Sequence, residues 1–130
     1  MWVPLIEAGE HLGQGAMFFI RKYVLEIINR DPLIDTLVLG CTHYPLIRPQ
    51  IDAVLADIAR ERGTTPSRTV AQGPIVADSL RDYLNRHPEY TRQLSTGGTC
   101  LFLTTDDARR FADSATLFLD QPILAHHVEY

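Results

Sequence analysis

The sequence has few cysteines and no long apolar run, and each shortage excludes a class of protein. It contains two cysteines, Cys41 and Cys100, and no CxxC pair, so it encodes neither a disulfide scaffold nor a structural zinc site. No apolar stretch approaches the roughly 20 residues that span a bilayer, and the N-terminus lacks the pattern of a signal peptide. We therefore expect a cytoplasmic protein, in a reducing compartment and away from the membrane.

The chain also lacks an excess of positive charge. Its 12 Lys and Arg residues are outnumbered by 16 Asp and Glu residues, for a formal net charge of −4, which gives no electrostatic reason to expect nucleic acid or an anionic membrane as partner. The 130 residues are 45% hydrophobic and 22% charged, enough to bury a core. A small soluble ligand is the expected partner.

The apolar residues follow an alternation of helix and strand patterns. Helical spacing predicts helices over 15–31 and 47–63, a third that carries Ile75 to Leu84 and ends before Pro88, and a fourth that begins at the Thr105-Asp106-Asp107 cap. Strands are predicted at 36–39, 67–71, 99–103 and 123–128, and a surface loop at 90–98. The continuous apolar run at 36–39 is typical of a strand covered on both faces. The order predicts an α/β fold with a parallel sheet flanked by helices.

The segment LVLGCTHYPLI, residues 37–47, carries the most chemistry. In open α/β sheets, ligands bind beyond the carboxyl ends of the strands, where Cys41 lies. A helix start and a nearby imidazole, here that of His43, both stabilise a thiolate, the reactive form of cysteine. Backbone N–H groups at the same helix start, with the Thr42 hydroxyl, could hold a carboxylate. The pattern favours an acid/base or nucleophilic site at Cys41.

Other interpretations of these residues stay open at this point. Cys41 is also the kind of small residue that packs at a strand end, and Tyr44 either walls a pocket or packs in the core. A Cys-His hydrolase or acyl transferase would use Cys41 as nucleophile and His43 as base, although side chains two residues apart need not meet. Cys100 lies in the predicted strand 99–103 without a histidine beside it and is expected to be a core residue.

Several stretches together resemble one family. GCTHYPL follows an apolar strand with an Ile-Asp-Thr start, Val3-Pro4-Leu5-Ile6-Glu7 resembles a V-P-L-[VI]-E segment, and the stretches 72–80 and 102–106 resemble a helix and a strand with its cap. These stretches are similar to the cofactor-independent amino-acid racemases, and among them most similar to glutamate racemase.

The resemblance implies a reaction at the α-carbon of glutamate with no metal and no pyridoxal phosphate. One thiolate would remove the α-proton from one face while a second thiol delivers a proton to the other. Cys41 would be the second of the two thiols, His43 its acid/base partner, Glu7 the carboxylate that orients that histidine, and Thr42 a contact for the substrate carboxylate. The pathway implied is supply of D-glutamate for bacterial peptidoglycan.

The resemblance covers only the C-terminal half of such an enzyme. The family's Asp-Ser-Gly motif and its other cysteine, in an Asn-Thr context, have no counterpart here. By analogy, residues 1–67 would belong to the second racemase domain and residues 68–130 would complete the first. We therefore expect full activity to need the missing N-terminal half or a complementing chain, with a homodimer as another way to cover an apolar patch at Trp2, Phe18 and Phe19. The alternative is a non-catalytic interaction module that retains the anion-binding turn.

Overall fold

The computed structural model describes residues 1–129, which form alternating helices and short parallel strands. The helices are α1 (Trp2–Glu7), α2 (Gln14–Arg30), α3 (Arg48–Arg62), α4 (Gln72–Arg86), α5 (Pro88–Thr91) and α6 (Ala108–Leu119). The strands are β1 (Thr36–Leu39), β2 (Arg68–Ala71), β3 (Phe102–Thr104) and β4 (Ala125–His127), and a 3-10 helix (Tyr44–Ile47) joins β1 to α3. The predicted α/β class is confirmed. None of the helices within residues 1–129 combines the length and the apolar character of a membrane span.

The chain divides into two compact units, Met1–Tyr83 and the residues from Leu84 onward. In the first unit β1 pairs with β2 in parallel, with Thr36 opposite Arg68 and Leu39 opposite Ala71. In the second, β3 pairs with β4 in parallel, and α6 packs against both strands. Strand pairing is therefore parallel as predicted, within two separate two-stranded sheets. The division into 1–67 and 68–130 refers to a two-domain enzyme and stays a prediction.

The core of the first unit is formed by α1, α2, α3, β1 and the 3-10 helix. Its fully buried side chains are aliphatic: Ile6, Ile20, Val24, Ile47 and Ile51. Burying each such side chain contributes about 1.5–3 kcal/mol. Leu39 and Ile47 both belong to this core, so the segment that carries Cys41 is anchored in the core at both of its ends.

The helix boundaries follow the capping signals in the sequence. Gly63 ends α3 with φ +66° and ψ +33°, the left-handed conformation that glycine adopts without a steric penalty. Asp107 caps α6 by accepting a hydrogen bond from the Arg110 backbone N–H at 2.7 Å. The predicted cap of the last helix is therefore confirmed.

The sequence predicted where the apolar faces lie, but not which of them are buried. Leu39 is buried but Val38 is 62% exposed, so β1 is covered on one face only and the expectation of two covered faces is wrong. The helices α4 and α6 form where the pattern predicts, yet neither contains a fully buried residue. Sequence periodicity locates an apolar face but does not show what covers it.

The second unit also differs from the prediction in detail. A single helical turn, α5, begins at Pro88 and extends into the first two residues of the predicted loop 90–98. Proline fits the first helical position, and the acidic side chain of Glu89 favours the first turn. The strand predicted at 99–103 is shorter and later, Phe102–Thr104. Cys100 therefore lies outside the strand and is exposed, so its assignment to the core is wrong. Gly97 and Gly98, in the predicted loop just before it, both have positive φ, a backbone conformation of turns rather than of extended strands.

Replacement of Ile20 by alanine should destabilise the fold through α2. Ile20→Ala removes a side chain that is 1% exposed and should lower the free energy of unfolding by about 2–5 kcal/mol because it leaves a cavity. Ile27→Ala on the same helix removes the same atoms from a side chain that is 40% exposed and should cost clearly less. Urea denaturation followed by circular dichroism measures both values, and equal losses would contradict the buried face assigned to α2.

Candidate active site

The turn after β1 holds three consecutive polar side chains, those of Cys41, Thr42 and His43. Hydrogen bonds within the turn fix its path: the Tyr44 N–H donates to the Cys41 carbonyl at 3.2 Å, and the Leu46 N–H donates to the His43 carbonyl at 3.1 Å. The turn leads directly into the 3-10 helix and α3, as the sequence predicts. The three side chains therefore lie at the carboxyl end of β1, where parallel α/β sheets place ligands.

One nitrogen of the His43 imidazole contacts the side chains of both Cys41 and Thr42. Its Nδ1 lies 3.8 Å from Cys41 Sγ and 3.4 Å from Thr42 Oγ1. The sequence left open whether the cysteine and the histidine, two residues apart, would meet, and the turn brings them into contact. Either the thiol or the hydroxyl can donate to Nδ1 when that nitrogen carries no proton. The contact with sulfur allows Nδ1 to take the thiol proton.

Glu7 approaches the other nitrogen of the same ring. Glu7 Oε1 lies 3.1 Å from His43 Nε2, and the two side chains are 60% and 21% exposed. A neutral imidazole that donates from Nε2 to a carboxylate must accept at Nδ1, so this contact selects the tautomer that can accept the thiol proton. At this exposure an ion pair stabilises the fold by only about 0–1 kcal/mol, so the contact matters for orientation rather than for stability.

Packing of α1 brings Glu7 to this position. Glu7 is the last residue of α1, and its neighbour Ile6 is fully buried. Trp2, at the start of α1, packs edge-on against Tyr44 with ring centroids 4.9 Å apart and against Tyr23 at 5.9 Å. Tyr44 is therefore a packing residue for α1. The expected apolar patch is reduced to Phe18, because Trp2 and Phe19 are both partly buried.

A pocket of about 450 Å³ opens beside the thiol within the first unit. One wall comes from the end of β1 and its turn, and the other from the start of α4. The lining residues are Leu39, Cys41, Thr42 and Pro45 on the first wall and Gln72, Gly73, Val76 and Ala77 on the second. His43 contacts Cys41, and Glu7 contacts His43, but neither His43 nor Glu7 is among the lining residues. The thiol thus lies between the pocket and the imidazole.

Gln72 and Gly73 were not predicted as site residues. They follow β2 directly, and the carboxyl ends of two paired parallel strands lie at one edge of a sheet. That rule, applied to the strand predicted at 67–71, would have found them.

The two histidines near the end of the chain lie in the second unit. His127 donates from Nδ1 to the Asp106 backbone carbonyl at 3.1 Å, which is a structural contact between β4 and the loop before α6. Within the described part of the chain, no group of three or more His, Cys, Asp or Glu side chains is arranged to hold a metal ion.

Comparison with known proteins gives one consistent result. No protein-family model matches the chain. It is 38% identical over 122 residues to a protein named glutamate racemase from Paracoccus denitrificans strain Pd 1222, and 36% identical over 121 residues to one from Roseobacter denitrificans. The chain is similar to glutamate racemases. A third relative of that name, from Dinoroseobacter shibae, is 36% identical over 128 residues, or 98% of this chain.

The similarity spans most of this chain but less than half of each glutamate racemase. The alignments cover 93% of this chain and 40% of the Paracoccus and Roseobacter proteins. The chain therefore spans about two fifths of the length of the curated relatives it matches, an extent consistent with the C-terminal portion that the motifs predict.

Removal of the imidazole should make Cys41 less reactive. In His43→Ala the alkylation of Cys41 by iodoacetamide should slow by about threefold or more, because the group that accepts the thiol proton is absent. Peptide mass spectrometry measures the rate, and Cys100, exposed in the second unit, reports reagent quality in the same sample. His126→Ala, which removes an exposed histidine, is the matched control. Equal Cys41 rates in His43→Ala and the parent would contradict activation by His43.

Proposed function

We propose that this chain supplies one proton-transfer face of a glutamate racemase site. The observation that carries the proposal is the line of contacts from Cys41 Sγ to His43 Nδ1 at 3.8 Å and from His43 Nε2 to Glu7 Oε1 at 3.1 Å. It lies at the carboxyl end of β1, in a chain similar to proteins named glutamate racemase. The proposed substrate is glutamate, and the proposed chemistry uses side chains alone, without a metal or pyridoxal phosphate.

The contacts support a defined sequence of proton movements. The Cys41 thiol proton passes to His43 Nδ1, and the carboxylate of Glu7 stabilises the imidazolium that forms. The resulting thiolate takes the α-proton of a bound glutamate. In the opposite direction the Cys41 thiol donates a proton to the α-carbanion. An amino-acid α-proton is a very weak acid, so the site must stabilise carbanion charge with preorganised donors and exclude water.

The pocket offers polar contacts for the substrate on both walls. Thr42 is exposed beside Cys41, and its hydroxyl is the proposed donor to the substrate carboxylate. The amide of Gln72, on the facing wall, is a further candidate donor. Apolar residues make up the remainder of the lining, and they favour exclusion of water once a ligand is bound.

Inversion of the α-carbon needs a second acid on the opposite face. Of the residues that line the pocket, only Cys41 carries a thiol, and a single group cannot efficiently remove a proton from one face and return it to the other. We propose that the second thiol comes from a complementing polypeptide that corresponds to the rest of the racemase length. A homodimer is the other source considered.

Exposed apolar side chains beside the pocket support a complementing polypeptide. Val38 on β1 and Val76 on α4 are each 62% exposed, and Ile75 and Leu80 on the same helix are also exposed. Exposed apolar side chains of this kind are available for contact with a partner polypeptide. The proposed assignment of residues 1–67 to one racemase domain and of 68–130 to the other fits a chain that must be completed by another part.

The proposed location and pathway follow from the proposed reaction. Both cysteines are free thiols, the form that a reducing cytoplasm maintains. D-Glutamate made there would supply the synthesis of bacterial peptidoglycan.

Exchange of the α-proton in deuterated water should reveal a half-site. The 130-residue chain should exchange the α-proton of one glutamate enantiomer, because one thiolate serves one face. Nuclear magnetic resonance measures the exchange, and Cys41→Ala should abolish it, while Cys100→Ala should leave it unchanged. Addition of the N-terminal portion of the Paracoccus relative should convert exchange into racemisation.

Other results of this experiment would lead to different conclusions. Exchange of both enantiomers with racemisation by the chain alone would contradict the need for a complementing polypeptide. If the folded chain shows no exchange with or without the added portion, the proton-transfer role fails. The non-catalytic interaction module would then be the better account.

A further inference from the structure

A hydrogen-bonded cluster of Arg48, Asp52 and Thr69 joins the start of α3 to β2. Thr69 is a polar residue that is only 6% exposed. Its Oγ1 donates to Asp52 Oδ1 at 2.6 Å and accepts from Arg48 Nε at 2.9 Å. Arg48 Nη2 also donates to the Thr69 backbone carbonyl at 3.2 Å. Both of these hydroxyl contacts are made to the start of α3.

The position of the cluster in the chain links it to both walls. Arg48 is the first residue of α3 and follows Pro45, a residue of the first wall, by three positions. Thr69 lies in β2 and precedes Gln72, a residue of the second wall, by three positions. A shift between α3 and β2 would therefore change the distance between the two walls.

We infer that Arg48, Asp52 and Thr69 are positioning residues that set the width of the Cys41 pocket. The inference rests on the proposed function, in which the two walls hold the carboxylate of a substrate beside the thiol. The guanidinium is suited to this task because its planar fork binds the hydroxyl and the carbonyl of one residue at the same time. Sites of this kind depend on such supporting contacts, because small misplacements of a ligand cost large factors in rate.

The ion pair between Arg48 and Asp52 is too weak for stabilisation of the fold to be the main role of the cluster. Arg48 Nε and Asp52 Oδ2 are 3.6 Å apart, and the two side chains are 44% and 46% exposed. Solvent screens a pair of this exposure, so it contributes little to the stability of the fold. The hydrogen bonds to the buried Thr69 hydroxyl instead fix the position of α3 relative to β2.

The choice between a charged and a neutral alkylating reagent tests the inference without requiring racemase activity. Iodoacetate and iodoacetamide transfer a similar group to the cysteine thiolate, with a new S–C bond formed and iodide released, but only iodoacetate carries a carboxylate. The ratio of their rates at Cys41, divided by the same ratio at Cys100, reports whether the pocket favours a carboxylate. In the parent chain we expect this normalised ratio to exceed one.

Loss of the cluster should reduce the normalised ratio while the chain stays folded. Thr69→Val removes the hydroxyl at nearly constant shape and should lower the ratio by about threefold or more, because the walls no longer hold the carboxylate together. Thr69→Ser should restore it. Arg48→Lys keeps the charge but loses the fork, and it should also lower the ratio, which makes it the deciding variant if Thr69→Val does not fold. Circular dichroism establishes folding in each case.

Arg60→Lys is the matched control for a general effect of arginine replacement on α3. Arg60 pairs with Asp57 at 2.9 Å and does not line the pocket, so its replacement should leave the ratio unchanged. If folded Thr69→Val and Arg48→Lys both keep the parent ratio, the positioning role is overturned while the proposed function stands. A parent ratio of one would overturn the proposed carboxylate contact, and the positioning role with it.

Discussion

The parallel pairing of β1 with β2 is the interaction on which the candidate site depends. The register places Val38 opposite Val70 and Leu39 opposite Ala71, so both strands end at the same edge of the sheet. The turn with Cys41 leaves one strand there, and α4 begins at the end of the other. Without this pairing the two walls of the pocket would belong to unrelated parts of the chain.

A second constraint is the packing of α1, which brings the carboxylate of Glu7 into contact with His43. The ion pair between Glu7 and His43 is too exposed to hold α1 in place. Burial of Ile6 and the edge-on contact of Trp2 with Tyr44 supply the attachment instead. The aromatic contact joins α1 to the residue that directly follows His43. Orientation of the imidazole is therefore a consequence of apolar packing next to the turn.

The surface beside the pocket supports the proposal that a complementing polypeptide completes the site. A thiol, an imidazole and a carboxylate are arranged for proton transfer, but the lining of the pocket provides one thiol. Val38 and Val76 present apolar side chains to solvent next to it. Relatives named glutamate racemase are about two and a half times as long as the region they share with this chain. A complementing polypeptide would explain both the single thiol and the exposed apolar surface.

Local patterns in the sequence were enough to predict the α/β class, the positions of α2, α3, β1 and β2, and the turn that carries Cys41, Thr42 and His43. These features depend on local periodicity and on capping residues such as Gly63, which act over a few positions. The folded chain was needed to show that α4 and Val38 are exposed, that Cys100 lies outside a strand, and that Gln72 and Cys41 line one pocket. It also decided the distance between Glu7 and His43, 36 positions apart in the chain. Such contacts arise from the packing of distant segments, which no local pattern of residues encodes.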